Sequence, residues 1–383
     1  MKSPIPTGSF PENGSYRQLG SREIGADTVE IWSSPELIDP AWDAFLEHTP
    51  LGHFQQSSRW AKAKRAEGWA PVRSVLTIGG RVVGGFQVLT RHTRMGKVGY
   101  IYKGPVCISE EAAFTRLIVE LLNSVLKQNR VLAAIIEPPD ESTIGRKLMA
   151  DPRFMENRLV HVSPATLLVD LSRGIEAISG TMRKSTWTEV KQAQRRGITI
   201  RKGSEADTDV FFRLMLATCE RQHTRPHPAT PSAIREVWMA FQPDRVRLSI
   251  AEYNGNPIAG QFCMCFGDRV TIWKKGWSGE HRDKHPSQLL LFEVIDWCCR
   301  NGYKWFDFAE LNPSIAATLL RGDPLSEEQR RTRDFVHLSF GDKPLILPTS
   351  CLLVPNPVAR LLYKAARSSG FLNRARNLIF KSF

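Results

Sequence analysis

The chain contains no run of 18 apolar residues and no apolar leader segment at its N-terminus, so it is expected to be neither membrane-spanning nor secreted. Its seven cysteines are odd in number and none shows C-x-x-C spacing. They are expected to be buried thiols in a reducing compartment, not disulfides or a zinc site. The sequence has no G-x-x-x-x-G-K-[ST], no G-x-G-x-x-G after a strand, no H-E-x-x-H and no G-x-S-x-G. Those absences argue against nucleotide-loop, zinc-protease and serine-hydrolase chemistry. His281 and His285 are four apart but lack a ready third ligand, so no metal site is expected. Acidic residues vanish from the last 28 positions, Asn356–Phe383, where Arg360, Lys364, Arg367, Arg374, Arg376 and Lys381 stand among apolar residues.

What is present is enough for two ordinary domains: 383 residues, 42% hydrophobic and 24% charged. The net charge of +13 favours phosphate-bearing or acidic partners, or an anionic membrane surface, and says nothing about fold. The strongest organising signal is a repeat. Arg247–Glu310 reads as strand, Asn254-Gly255 turn, strand, strand, amphipathic helix (Pro286–Arg300), Gly302 stop and strand. Val72–Glu137 has the same order around a Gly79-Gly80 turn and a helix over Glu110–Gln128. A duplicated β-β-β-α-β unit implies a mixed α/β protein of two similar domains, with the cleft between them as the default ligand site.

In chain order, residues 1–27 are rich in Gly, Ser and Pro and are expected to be disordered. The first domain is expected over 28–160 and the second over 161–345. Residues 346–383 are expected to be a basic helical segment docked on the first domain, the alternative being a helix lying on an anionic membrane. Helices are expected at Pro40–His48, Trp60–Glu67, Thr208–Arg221 and Pro231–Phe241, and one long helical pattern at Gly174–Gly197. Arg158–Asp170 reads as a crossing strand, and Phe335–Phe340 has a strand pattern. Arg221, His223, Arg225 and His227 share a Pro-rich loop, a setting that more often carries function than packing.

Five stretches, in order, resemble the Fem aminoacyltransferases. Gly52–Lys64 (GHFQQSSRWAKAK) resembles their F-x-Q-S-x-x-W-x-x-x-K signature. Tyr102–Val106 resembles x-R-G-P-V, with Lys103 for Arg. Met182–Arg201 resembles L-R-x-x-x-R-x-x-I-K-x-A-x-K-x-G-V, with Trp187 for the second Arg. Gly276-Trp277-Ser278 resembles a G-A-S turn, and Gly302–Phe308 resembles G-x-x-x-Y-D-F-G-G without its final glycines. The resemblance implies two tandem GNAT-like domains with mixed sheets flanked by helices. It implies transfer of an amino acid from aminoacyl-tRNA to an amine on a peptidoglycan precursor or related phosphate-bearing cell-envelope molecule, in the cytoplasm or at the inner membrane face. Relatives in the superfamily use acyl-CoA, and the acyl-CoA phosphate loop Q/R-x-x-G-x-G/A is only echoed by Arg94–Gly99. The donor is therefore a co-substrate, aminoacyl-tRNA or acyl-CoA, and no cofactor is implied.

Carried over residue by residue, Lys64 falls on the motif lysine, resembling a phosphate clamp, and Lys103 on the arginine of R-G-P-V. Arg221 and Arg225 fall near the second clamp, and Trp273 near an aromatic residue lining the cleft. Asp307 falls on the aspartate of D-F-G-G, a candidate to orient the amine or help take its proton. The family's F-K-x-x-F-G appears as Val336–Gly341, so His337 replaces a lysine and is a candidate base near neutral pH. A catalytically dead protein holding an anionic ligand in the cleft is the rival from outside enzymology.

Overall fold

The computed structural model describes residues 16–341 and 343–366. In chain order its elements are β1 (Arg17–Ile24), β2 (Asp27–Ser34), α1 (Pro40–His48), α2 (Ser58–Lys64), β3 (Ala70–Ile78), β4 (Arg81–Thr93), β5 (Gly96–Ile101), β6 (Val106–Cys107), α3 (Ala112–Gln128), β7 (Val131–Ile136), α4 (Ile144–Ala150) and β8 (Phe154–Glu156). There follow β9 (Ala165–Asp170), α5 (Gly174–Thr181), α6 (Lys184–Arg195), β10 (Ile198–Lys202), α7 (Thr208–Arg221), α8 (Pro231–Phe241), β11 (Val246–Tyr253), β12 (Asn256–Phe266) and β13 (Arg269–Trp277). The last are α9 (Pro286–Arg300), β14 (Trp305–Asp307), α10 (Pro313–Leu320), α11 (Glu327–Arg330), α12 (Arg333–His337), β15 (Lys343–Ile346), β16 (Cys351–Leu353) and α13 (Pro357–Ala366). The chain divides into two units: one up to Val162 rejoined from Pro348 onward, the other Ser163–Leu347.

Each unit is built on a mixed sheet. In the first, the order is β1-β2-β3-β4-β5-β7-β16-β8, with β6 on β4. In the second it is β10-β11-β12-β13-β14-β9-β15. The sequence repeat is a repeat of topology. β3-β4-β5 and β11-β12-β13 are antiparallel runs, and each passes through a helix to a parallel neighbour, β7 on β5 and β14 on β13. The crossover helices α3 and α9 bury an apolar face against their own sheet, as Leu117, Ile118 and Leu122 do in α3 and Leu290, Val294 and Ile295 in α9. The fold is thus mixed α/β throughout, with mixed sheets flanked by helices.

Local signals set where several helices start. Asp39 caps α1, accepting from Trp42 N at 3.0 Å, with Pro40 in the first turn. Ser57 caps α2 by accepting from Trp60 N at 3.2 Å, and Gly68 ends the following 3-10 turn at φ 81°. Thr230 and Pro231 start α8 in the same manner.

Four expectations need correction. Residues 17–24, placed in a disordered N-terminus, form β1 and pair with β2 from Arg17↔Ser33 to Ile24↔Asp27. That strand is largely exposed, so backbone pairing holds it and no apolar pattern marks it; residues 1–15 lie outside the described set. The pattern at 174–197 is two helices, broken at Met182, which buries itself in the core in extended backbone. The strand expected over 158–170 begins only at Ala165. Phe335–Phe340 is not a strand: Asp334, His337 and Phe340 are buried at a spacing of three that α12 and the turn after it supply, with Ser339 buried beside them. In the C-terminal segment, β16 pairs with β7 and β8 of the first unit, and residues 367–383 lie outside the described set.

Candidate active site

Parallel strands present their carboxyl ends to ligands, because the helix crossover leaves that edge open. In the second unit β13 and β14 pair only over Arg269–Thr271 and Trp305–Asp307. The rest of β13 runs on past the end of its parallel neighbour. A bulge at Trp273 and Lys274 interrupts its pairing with β12, where Phe262↔Lys274 is followed by Cys263↔Ile272. The extra residue flips the alternation. Trp273 lies edge-on to Phe262 at 5.1 Å, toward α7, whereas Lys275 turns to the opposite face.

There Lys275 Nζ donates to His337 Nε2 at 3.2 Å. The imidazole is buried and stacks on Phe308 at 4.4 Å and 28°. Its Nδ1 has no hydrogen-bond partner among the described residues, the nearest carboxylate oxygen being Asp334 Oδ1 at 3.8 Å. Burial, reinforced by the positive charges of Lys275 and Arg333, keeps His337 well below the usual histidine range, so it is neutral at pH 7. Burial also pulls Lys275 down to about 8, with Arg333 acting in the same direction. Asp334 is itself spent on the start of α10, accepting from Asn312 N at 2.8 Å.

Asp307 and His337 are not brought together. Phe306 and Phe308 join the core beside α9, so Asp307 points to the other face of β14. It accepts from Thr166 Oγ1 at 2.6 Å and Ala309 N at 2.8 Å, with Arg269 Nη1 3.6 Å away. Ala309 has φ 63°, the left-handed region that favours glycine, at the first missing glycine of D-F-G-G. Arg221 ends α7 with its guanidinium 4.7 Å over the Trp277 ring, donating to Trp277 O at 2.5 Å. Arg225, four residues on, is exposed and makes no side-chain hydrogen bond or ion pair among the described residues. One cation is therefore fixed by its tryptophan, and the other is available to an anion.

The first unit gathers Lys64 and Lys103 near the carboxyl ends of β5 and β7. Lys64 Nζ lies 5.1 Å from the Trp60 ring centroid and pairs with both Glu67 oxygens at 2.7 and 2.9 Å. Burial lowers its pKa and Glu67 opposes that. Trp60 meets Tyr102 edge-on at 6.1 Å, and Tyr102 stacks on Tyr100 at 4.0 Å. The Tyr100 hydroxyl donates to buried Glu137, and Lys103 pairs with Asp140 at 2.7 Å. Desolvation raises the Glu137 pKa, against the charge of Lys103. Sequence reading missed Tyr100, Tyr102 and Glu137 here, and Lys275 in the second unit. Their signal was position: each follows or ends a strand of a parallel pair, or flanks a bulge.

Residues 37–147 match the FemAB family, and residues 180–314 match the acetyltransferase (GNAT) domain. The lipid II:glycine glycyltransferase of Staphylococcus saprophyticus is 24% identical over 199 residues, 48% of this chain and 48% of that protein. The Staphylococcus aureus protein of the same name is 22% identical over 193 residues, 47% of this chain and 45% of its own length. The chain spans about half the length of the curated relatives it matches. The crystal structure of FemX superposes with a TM-score of 0.70 at 14% identity, covering 84% of this chain and 97% of that one, a likeness of fold. The chain therefore resembles the FemAB family over 37–147 and an acetyltransferase (GNAT) domain over 180–314, and its fold is like that of FemX.

Proposed function

We propose that the chain is an N-acyltransferase that moves an aminoacyl group from aminoacyl-tRNA to an amine on a pyrophosphate-linked cell-envelope precursor of the lipid II kind. The observation that carries this reading is the FemAB match over 37–147, which includes the α2 signature, in a chain whose relatives are named lipid II:glycine glycyltransferases. The donor ester is already activated, so the protein's work is to orient two substrates, move a proton and stabilise an oxyanion. In this reading Lys64, Lys103, Arg221 and Arg225 meet anionic groups, Arg225 being the cation most free to do so. Trp273 lines the substrate path, His337 stands on the proton side and Asp307 orients from the opposite face of β14.

An acyl-CoA donor is the second reading, favoured by the match of 180–314 to the acetyltransferase domain. The site of action is proposed to be the cytoplasmic membrane face. No helix among the described residues is long and apolar enough to cross a membrane. On α13, Val358, Leu361 and Leu362 are exposed beside Arg360 and Lys364, a composition suited to an anionic lipid surface.

Donor binding separates the readings. Aminoacyl-tRNA is expected to bind with an affinity that falls steeply as salt rises, by counterion release, while acetyl-CoA does not bind. Binding of acetyl-CoA alone would move the chain to the acyl-CoA reading, and binding of neither would favour a non-catalytic ligand-holding protein.

A further inference from the structure

Lys275 is an unusual lysine by its surroundings. It is half-buried and has no ion pair among the described residues; its partner is an imidazole. It stands where β13 has outrun β14, at the open carboxyl end of the parallel pair, and the bulge at Trp273 and Lys274 is what turns it there. Behind it His337 is 6% exposed, clamped on Phe308, with an unpartnered Nδ1. No residue of the Fem signature described above predicts a lysine at this position.

We propose that Lys275 is the proton acceptor for the attacking amine, with His337 as the positioning residue that holds its Nζ toward the open end of the strand pair. The inference rests on the acyl-transfer reading and adds a residue to it. The acceptor nitrogen attacks the acyl carbonyl carbon, and the C–N bond forms as that nitrogen becomes cationic. Its proton passes to neutral Lys275 Nζ. The carbonyl re-forms as the C–O bond to the donor ribose breaks, and the proton on Lys275 passes to the leaving oxygen. The amine and ester become an amide and an alcohol, with no net proton taken up.

The charges around Lys275 suit a proton carrier. Arg333 from α12 disfavours its protonated form, while Glu310, Asp334 and Cys263 favour it, and desolvation outweighs them. A pKa of about 8 leaves a useful neutral fraction at pH 7, where an ordinary lysine at about 10.4 has almost none.

The test has an arm that needs no substrate. In the full chain, the pH dependence of amine labelling by acetic anhydride, read lysine by lysine by mass spectrometry, should place the Lys275 midpoint near 8. His337→Glu, which substitutes a carboxylate for the imidazole, should raise that midpoint by at least one unit and shift the acidic limb of the transfer rate to higher pH with it. A merely structural role for His337 would move neither. Lys275→Met should lower kcat about 100-fold or more while acceptor KM changes by less than about threefold, within the range for a removed acid–base group. A labelling midpoint near 10.4, or full kcat in Lys275→Met, would overturn the proposal. A wild-type chain inert toward both donors but titrating near 8 would sink the transfer reading and leave the Lys275–His337 pair standing. An active chain with the ordinary midpoint would sink the pair alone.

Discussion

Arg73→Met is expected to destabilise the first unit by about 3–5 kcal/mol, the cost of leaving one partner of a buried ion pair uncompensated. Arg73 is 0% exposed in the middle of β3. Its guanidinium reaches Asp39 Oδ2 at 3.3 Å, Leu37 O at 3.3 Å and Gln87 Oε1 at 2.8 Å. Asp39 in turn caps α1 and accepts from the Tyr16 hydroxyl. Methionine fills much of the volume, so the loss is electrostatic and not a cavity. Denaturant unfolding should show it, and the double variant Arg73→Met with Asp39→Asn should recover part of it, because the stranded carboxylate is gone. A change below about 1 kcal/mol in the single variant would mean that water reaches Asp39.

Gln56→Leu is expected to cost about 3–5 kcal/mol and to misplace α2. Gln56, the glutamine of F-x-Q-S, is fully buried. Its amide exchanges two hydrogen bonds with the Gln87 backbone, accepting at 2.8 Å and donating at 3.2 Å, and donates to Tyr102 O at 2.5 Å. Leucine strands all three backbone groups, at about 1–3 kcal/mol each before relaxation. The same side chain spaces α2 from β4 and the strand end that carries Tyr102 and Lys103. Acceptor binding should therefore weaken along with stability. Gln56→Leu at near wild-type stability would refute this account of the motif.

These two variants show how much of the site was legible. The F-x-Q-S-x-x-W-x-x-x-K stretch was recognisable as a pattern, and the structure supplies its physics. Phe54 packs edge-on against Trp60, Gln56 ties the turn to β4, Ser57 caps α2, and Trp60 lies under Lys64. Helices α7, α8 and α9 were legible from apolar periodicity and polar stops, with Pro at the start of α8 and α9. Lys275 was not. A lysine in the sequence IWKKGW reads as a solvated strand residue, and only the bulge, a matter of tertiary pairing, reverses its face. α12 was missed for a similar reason. Val336, Leu338 and Phe340 alternate, but the burial that decides the element belongs to Asp334 and His337, two polar residues. β1 was missed because an exposed edge hairpin needs backbone pairing and hardly any apolar side chains.

The most direct measurement is the transfer itself. Purified chain would be incubated with radiolabelled aminoacyl-tRNA and an amine-bearing undecaprenyl-pyrophosphate muropeptide, and separately with acetyl-CoA and the same acceptor. The account predicts label moving from tRNA to the acceptor, with an amide bond by mass spectrometry and its loss in Lys275→Met. Transfer from acetyl-CoA alone, or label that stays on tRNA with every amino acid tried, would contradict it.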